Sequence, residues 1–170
     1  MTYVEFIVVL SIFAAMTAVV LFNYGDFQAK VEIKNLGSDI ALRIVEAQKS
    51  SLSGILPLNF PSDWKPSYGI YFDQAAPKQF VYFADLNNDK TYNDAPLDTI
   101  PVTKGNYMDK IESCGGSPVV CVLFPNFPLS VTFKRPDSRA FFYSNNVEMT
   151  GFDYIQITIK SPKLFTSLIK

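Results

Sequence analysis

Residues 6–22 of this 170-residue chain carry no charged side chain and show no apolar rhythm. Phe6, Val9, Ile12, Phe13, Met16, Val20 and Leu21 fall on every side of a helical projection, so no polar face is left for water. Such a run predicts a helix whose surroundings are apolar all round. Its 17 residues stand at the short end of the roughly 17 to 25 that a membrane-spanning helix needs. The pattern then changes. Over residues 26–52, Ile33, Leu36, Ile40, Ile44 and Ala47 recur at steps of three and four, with Leu42 and Val45 widening the stripe. Lys30, Lys34, Asp39, Arg43, Glu46 and Lys49 occupy the other faces. Gly54, with Pro57 beyond it, reads as a helix stop. The spacing predicts one helix over residues 3–53, roughly 75 Å long.

Beyond it, six short runs rich in aromatic and β-branched residues predict strands at 68–72, 80–83, 119–124, 129–133, 140–143 and 154–159. The last alternates cleanly, Ile155, Ile157 and Ile159 against Gln156, Thr158 and Lys160, which gives one dry face and one wet. No ten-residue helical pattern separates these runs, so the sheet is expected to be mainly antiparallel. The predicted class is α+β. A protruding N-terminal helix spans residues 1–54, with a membrane or fibre-core half at 1–25 and an amphipathic half at 26–54. The latter packs on a β-rich head formed by residues 55–170.

The flanks of the apolar run carry further information. A secretory signal would need a basic segment before the run and a small-residue cleavage site after it, and neither is present. The first lysine is Lys30, so nothing ahead of the run holds the N-terminus in the cytoplasm by positive charge. Either the chain inserts the other way round, or a basic leader precedes this numbering. Glu5 sits one residue before the run. A carboxylate at that depth costs about 2.5–3.5 kcal/mol near the bilayer centre, somewhat less near an end. A group so placed calls for a partner, and the α-amino group of Met1 is the nearest candidate.

The segment Met1-Thr2-Tyr3-Val4-Glu5-Phe6-Ile7-Val8-Val9-Leu10 resembles the mature N-terminus of type IV pilins and the related pseudopilins. The resemblance covers about the first 25 residues and says little about residues 55–170. It implies a pilin ladle fold, a leader cut by a prepilin peptidase, and an N-methylated Met1. It also implies insertion in the cytoplasmic membrane, then extraction by the pilus assembly machinery into an extracellular homo-oligomeric filament. In that filament Glu5 pairs with the Met1 amine of a neighbouring subunit. In an apolar fibre core an unpaired carboxylate and an unpaired ammonium are each costly, so the pair selects register more than it adds stability. Many relatives carry Gly or Pro between the fourteenth and twenty-second residues. This chain has Ala14, Ala15 and Phe22 there, leaving Gly25 as the nearest weak point.

Composition narrows the functional classes. With no His, the commonest general base and transition-metal ligand is missing, and no Gly-rich phosphate loop occurs, so an enzyme is not expected. The formal net charge of −1 gives no global reason to bind nucleic acid. Lys134, Arg135 and Arg139 beside Phe141, Phe142 and Tyr143 form a small basic and aromatic group, read as a solvated strand edge.

Two local motifs remain. Asp85, Asn87, Asp89, Thr91 and Asn93 place oxygen ligands at alternate positions, as at the start of an EF-hand-type loop, with Thr91 offering its backbone carbonyl. The sixth position is Lys90 rather than Gly and the twelfth is Pro96 rather than Glu, so Asp94 or Asp98 would have to close the shell. The expected cofactor is a structural calcium ion; the alternative is a polar surface turn. Cys114 and Cys121 would close a short loop through Gly115-Gly116 if bridged, stabilising by about 2–3 kcal/mol; the alternative is two buried thiols.

The function expected from these readings is a structural subunit, the major pilin, of a type IV pilus-like filament that supports adhesion, motility or uptake. A minor pilin or a pseudopilin of a secretion or DNA-uptake system is the alternative within the family. A single-pass, membrane-anchored calcium-binding adhesion domain is the alternative of another class.

Overall fold

The computed structural model describes residues 2–54, 66–93, 96–124, 128–162 and 164–169. A single α-helix, α1, runs unbroken from Tyr3 to Ser53, through Gly25 and Gly37, and is about 77 Å long. It ends where expected. Gly54 takes a left-handed conformation (φ 62°), and its N–H closes on the carbonyls of Ser50 and Ser51. A Cβ at Gly54 would also run into the Arg135 guanidinium.

Ten strands follow: β1 (Ser67–Phe72), β2 (Gln79–Asp85), β3 (Pro96–Pro101), β4 (Tyr107–Gly115), β5 (Val120–Leu123), β6 (Leu129–Lys134), β7 (Asp137–Ser144), β8 (Val147–Glu148), β9 (Tyr154–Ser161) and β10 (Leu164–Ile169). They form a six-stranded sheet in the order β3-β2-β1-β6-β7-β8 and a four-stranded sheet in the order β10-β9-β4-β5. Every paired neighbour is antiparallel. The molecule is therefore α+β with antiparallel sheets.

The outer half of α1, both sheets and the residues between them share one hydrophobic core. Ile40 and Ala47 of the helix meet Ile70, Phe72, Phe80, Val131 and Phe133 of the first sheet and Met108, Ile111 and Ile159 of the second. Ala29 and Ile33 extend the buried stripe toward the N-terminus, while Leu36 and Ile44 are partly buried. Leu42 and Val45 do not widen it: they stand 66% and 43% exposed. At about 100° per residue they lie outside the line through positions 33, 36, 40, 44 and 47, and the sheet does not curl far enough to reach them. Two hydrogen bonds lock the end of the helix onto the first sheet, Ser51 Oγ to the Phe133 carbonyl (2.8 Å) and Tyr82 hydroxyl to Ser50 Oγ (3.0 Å).

Four strands go beyond the six expected. β3 is bounded by prolines, lies at a sheet edge and is exposed along most of its length, as a proline-flanked strand must be. β4 hides its alternation behind a bulge. Met108 pairs with Ile159 and Ile111 with Ile157, while Asp109 is the extra residue between them. Its apolar positions thus stand three apart, a helical spacing on a strand. β8 has only two residues. β10 pairs with β9 through an irregular register.

Strands β1, β2 and β6 are buried on both faces. One face carries Ile70, Phe72, Tyr82 and Val131 toward α1. On the other, the segment after β2 folds back across the sheet. The Tyr92 ring lies 4.7 Å from that of Tyr71 and 5.3 Å from that of Phe83. Gly69 makes room for this layer, since a Cβ there would stand 2.8 Å from both the Phe83 ring and the Val131 carbonyl.

Candidate functional site

At the N-terminus, Thr2 adopts an extended conformation and its N–H donates to Glu5 Oε2 at 3.4 Å. The Glu5 carboxylate therefore turns back on the first turn of its own helix, where a negative charge also meets the positive end of the helix dipole. Met1, the expected partner of Glu5, lies outside the described residues. From Tyr3 to Leu21, 19 residues with a mean hydropathy of 2.5 are wholly uncovered by the rest of the chain. By length and composition this stretch could cross a membrane as an anchor or serve as a signal segment.

The loop following β2 is held by a dense set of hydrogen bonds. Asp85 ends the strand fully buried (0% exposed), and its Oδ2 accepts the Lys90 N–H at 2.8 Å. That bond spans the first and sixth loop positions. Lys90 sits at φ 67°, in the left-handed region that an EF-hand-type loop reserves for glycine. Asn88 is also left-handed (φ 60°), and its side-chain Oδ1 accepts from Ser67 Oγ at 3.2 Å. The Asp89 carboxylate gathers the Thr91 N–H and hydroxyl, each at 2.8 Å, the Asn87 amide at 2.9 Å, and the Asn93 amide. Two further bonds tie the loop to the sheet: the Tyr92 N–H to Ser130 Oγ (3.3 Å) and Thr132 Oγ1 to the Lys90 carbonyl (2.8 Å). The Lys90 ammonium reaches past the loop to lie 4.2 Å from the Phe141 ring centroid, and it donates to the Tyr143 hydroxyl at 3.2 Å.

The two loop carboxyls are displaced in opposite directions. Burial pushes the Asp85 carboxyl above its usual range, opposed by the Lys90 N–H and reinforced by the nearby Asp89 charge. Burial would raise Asp89 as well, but the hydrogen bonds from Thr91, Asn87 and Asn93 outweigh it and hold that carboxyl low. Asp85 Oδ1 has no hydrogen-bond partner among the described residues. The backbone N–H groups of Asn88 and Asp89 also favour the charged form of Asp85, and its buried oxygens are of the hard kind that a calcium ion accepts.

Of the remaining predicted ligands, Asp98 lies on β3 opposite Tyr82, and its Oδ2 stands 3.4 Å from Arg43 Nη2 on the helix. It joins α1 to the sheet edge rather than the loop. Asp94 lies outside the described residues. Among the described residues, no three His, Cys, Asp or Glu side chains converge as a metal-holding group.

Cys114 and Cys121 form a disulfide, directly opposite one another on β4 and β5 with an S–S distance of 2.06 Å. The hairpin they close carries Val119, Val120, Val122 and Leu123 exposed at the sheet edge. In the basic and aromatic group, Arg139 pairs with Asp137 at 2.6 Å and stands 5.9 Å from the Phe141 centroid. Lys90 joins it from the loop after β2, a contact that sequence proximity gave no reason to expect.

No family model, curated protein or solved structure matches this chain.

Proposed function

We propose that the chain is the principal structural subunit of a type IV pilus-like filament, held in the cytoplasmic membrane by residues 3–21 before assembly and packed helix against helix afterwards. One observation carries this reading. A single unbroken helix has one stripe of its outer half buried in a folded head, while its inner half offers a 19-residue apolar surface that the head leaves uncovered. A plain anchor explains the apolar surface. Glu5 at the start of that surface caps its own helix, and in a filament a neighbour's ammonium would give this carboxylate a second partner.

The loop at Asp85 takes a structural calcium ion in this reading. Support comes from its oxygen-only donors, the left-handed sixth residue and the buried Asp85 oxygens. Asp85, Asn87, Asp89, Thr91 and Asn93 would hold the ion, which would relieve the repulsion between the two carboxylates and fasten the layer that covers the outer face of the first sheet.

The test is to shear surface material from cells making the protein, image it by electron microscopy, and determine the N-terminus of its main band by mass spectrometry. Thin filaments dominated by this chain, starting at N-methyl-Met1, are expected. Filaments containing it only in traces favour a minor pilin or pseudopilin. An unmethylated chain that stays in the membrane leaves a membrane-anchored binding domain.

A further inference from the structure

Each sheet has two edge strands, and three of these edges are guarded. β3 is bounded by Pro96 and Pro101 and carries Asp98, β8 has only two residues, and β10 lies against α1. β5 has no such protection. No charged residue occurs between Glu112 and Lys134, and no proline between Pro118 and Pro125. Every residue of β5 is exposed. The Cys114–Cys121 disulfide fastens the strand to β4, so its open side is a template already in place.

The ladder shows which backbone groups reach that side. The Phe124 N–H donates to the Ile111 carbonyl (3.0 Å), and bonded and non-bonded pairs alternate from there along β5. Val122 opposite Ser113 and Val120 opposite Gly115 are therefore the residues bonded to β4. Cys121 opposite Cys114 is a non-bonded pair, with the close Cα separation, 4.1 Å, that such a pair has. The N–H and C=O groups of Cys121 and Leu123 thus point away from β4, toward the open edge. Side chains follow the same alternation. Phe124, Val122 and Val120 share the face of Ile111, a core residue. Phe124 packs against that core, whereas Val122 and Val120 stand 59% and 61% exposed. One apolar row therefore starts in the core and runs out along the open strand.

We propose that β5 pairs antiparallel with β5 of a second copy of this chain, about a two-fold axis at Val122. In that register Cys121 of each copy stands opposite Leu123 of the other, and each such pair exchanges its outward N–H and C=O groups. Val122 meets its own counterpart in a non-bonded pair, and Val120 meets Phe124, so apolar side chains face apolar side chains throughout. Two identical uncharged edges approach with no like charges opposed, and a charged partner strand would find nothing to pair with. So short an edge buries far less than the roughly 800 Å² per partner of a stable complex, so the pairing forms where copies are crowded rather than as a permanent dimer. It joins heads and is independent of the apolar helix.

The test uses the full chain in neutral detergent, at high concentration and under mild oxidation. Val122→Cys places a thiol at the two-fold axis, where the Cα separation of a non-bonded pair, about 4.5 Å, is within disulfide reach. Peptide mapping by mass spectrometry should find position 122 bridged to position 122 of another copy. Val120→Cys is the control. It is as exposed as position 122 but stands opposite Phe124 in this register, and it should give no bridge between copies. Adding Leu123→Pro to Val122→Cys removes an outward N–H that β4 does not use. The bridge should be lost while the head keeps its near-UV circular dichroism. If that double variant unfolds, the comparison between positions 122 and 120 decides, because association through the apolar helix favours neither position. Equal bridging at 120 and 122, no bridge at 122, or a bridge that survives Leu123→Pro in a folded head overturns the inference.

Discussion

The two halves of α1 form one continuous helix with two different surfaces. In the outer half, apolar residues keep to a stripe. Ile33, Ile40 and Ala47 are buried, whereas Leu42, two positions from Ile40, is mostly exposed. In the inner half there is no stripe. Val9, Phe13 and Val20 point in different directions and are all exposed. A helix that must distinguish its own core from water carries a 3.6-residue period; one surrounded by hydrocarbon or by other apolar helices has nothing to distinguish. Among the described residues, the head covers the buried stripe of the outer half, and no part of it covers residues 3–21.

The largest effects should come from giving each half the wrong surface. Val9→Asp places a second carboxylate in the apolar half at a cost of about 2.5–3.5 kcal/mol on insertion scales near mid-membrane, without touching the core. Surface filaments should vanish in electron micrographs while the head keeps its near-UV circular dichroism. Ile40→Ala does the reverse. It should lower the stability of the head by roughly 2–5 kcal/mol in denaturant titration, whereas Leu42→Ala should change it by no more than about 0.5 kcal/mol. Equal losses at positions 40 and 42 would erase the distinction between stripe and open face.

Next in size is the covalent closure of the β4–β5 hairpin. Reduction, or paired Cys114→Ser and Cys121→Ser, should lower stability by about 2–3 kcal/mol. The effect should appear in the head alone, leaving the helicity of residues 3–21 unchanged by far-UV circular dichroism. Calcium should then raise the thermal midpoint of the head relative to chelator, and Asp85→Asn should abolish that rise. An Asp85→Asn protein that still responds to calcium would place the ion elsewhere.

The smallest expected effect is alkaline. Burial, and then the neighbouring Tyr82, pushes the Tyr68 phenol from 10.0 up to about 12. Below about pH 10 both the folded and unfolded chains keep the proton, so the contribution is flat. Between there and about pH 12 the unfolded chain ionises first, and stability falls as pH rises. Tyr68→Phe should flatten that fall in a thermal-melt pH series. An unchanged slope would show that the phenol ionises as readily in the folded state.

The same contrast explains what could be read from the sequence. The helix, its bounds and most of its buried stripe follow from local spacing and a glycine stop, so Tyr3–Ser53 was legible throughout. Strands with clean alternation or dense aromatics were legible as well. β4 was not, because the extra residue at Asp109 shifts its apolar positions out of the period of two. β3 was not, because its prolines are tolerated only by virtue of its edge position, which pairing alone reveals. The loop at Asp85 announced its alternating oxygens. That Lys90 would accept a left-handed turn and anchor on Phe141 depends on β7, some fifty residues later. Asp98 was read by its nearness in sequence to that loop, but Arg43 holds it on the helix side of the sheet edge.

The central claim is that copies of the same helix cover the inner half of α1. A photoreactive residue in place of Phe13, 68% exposed in the single chain, tests it most directly. Irradiated surface material sheared from cells should yield chain-to-chain adducts mapping within residues 3–21. Adducts to lipid alone, or an absence of sheared material containing the chain, would contradict it.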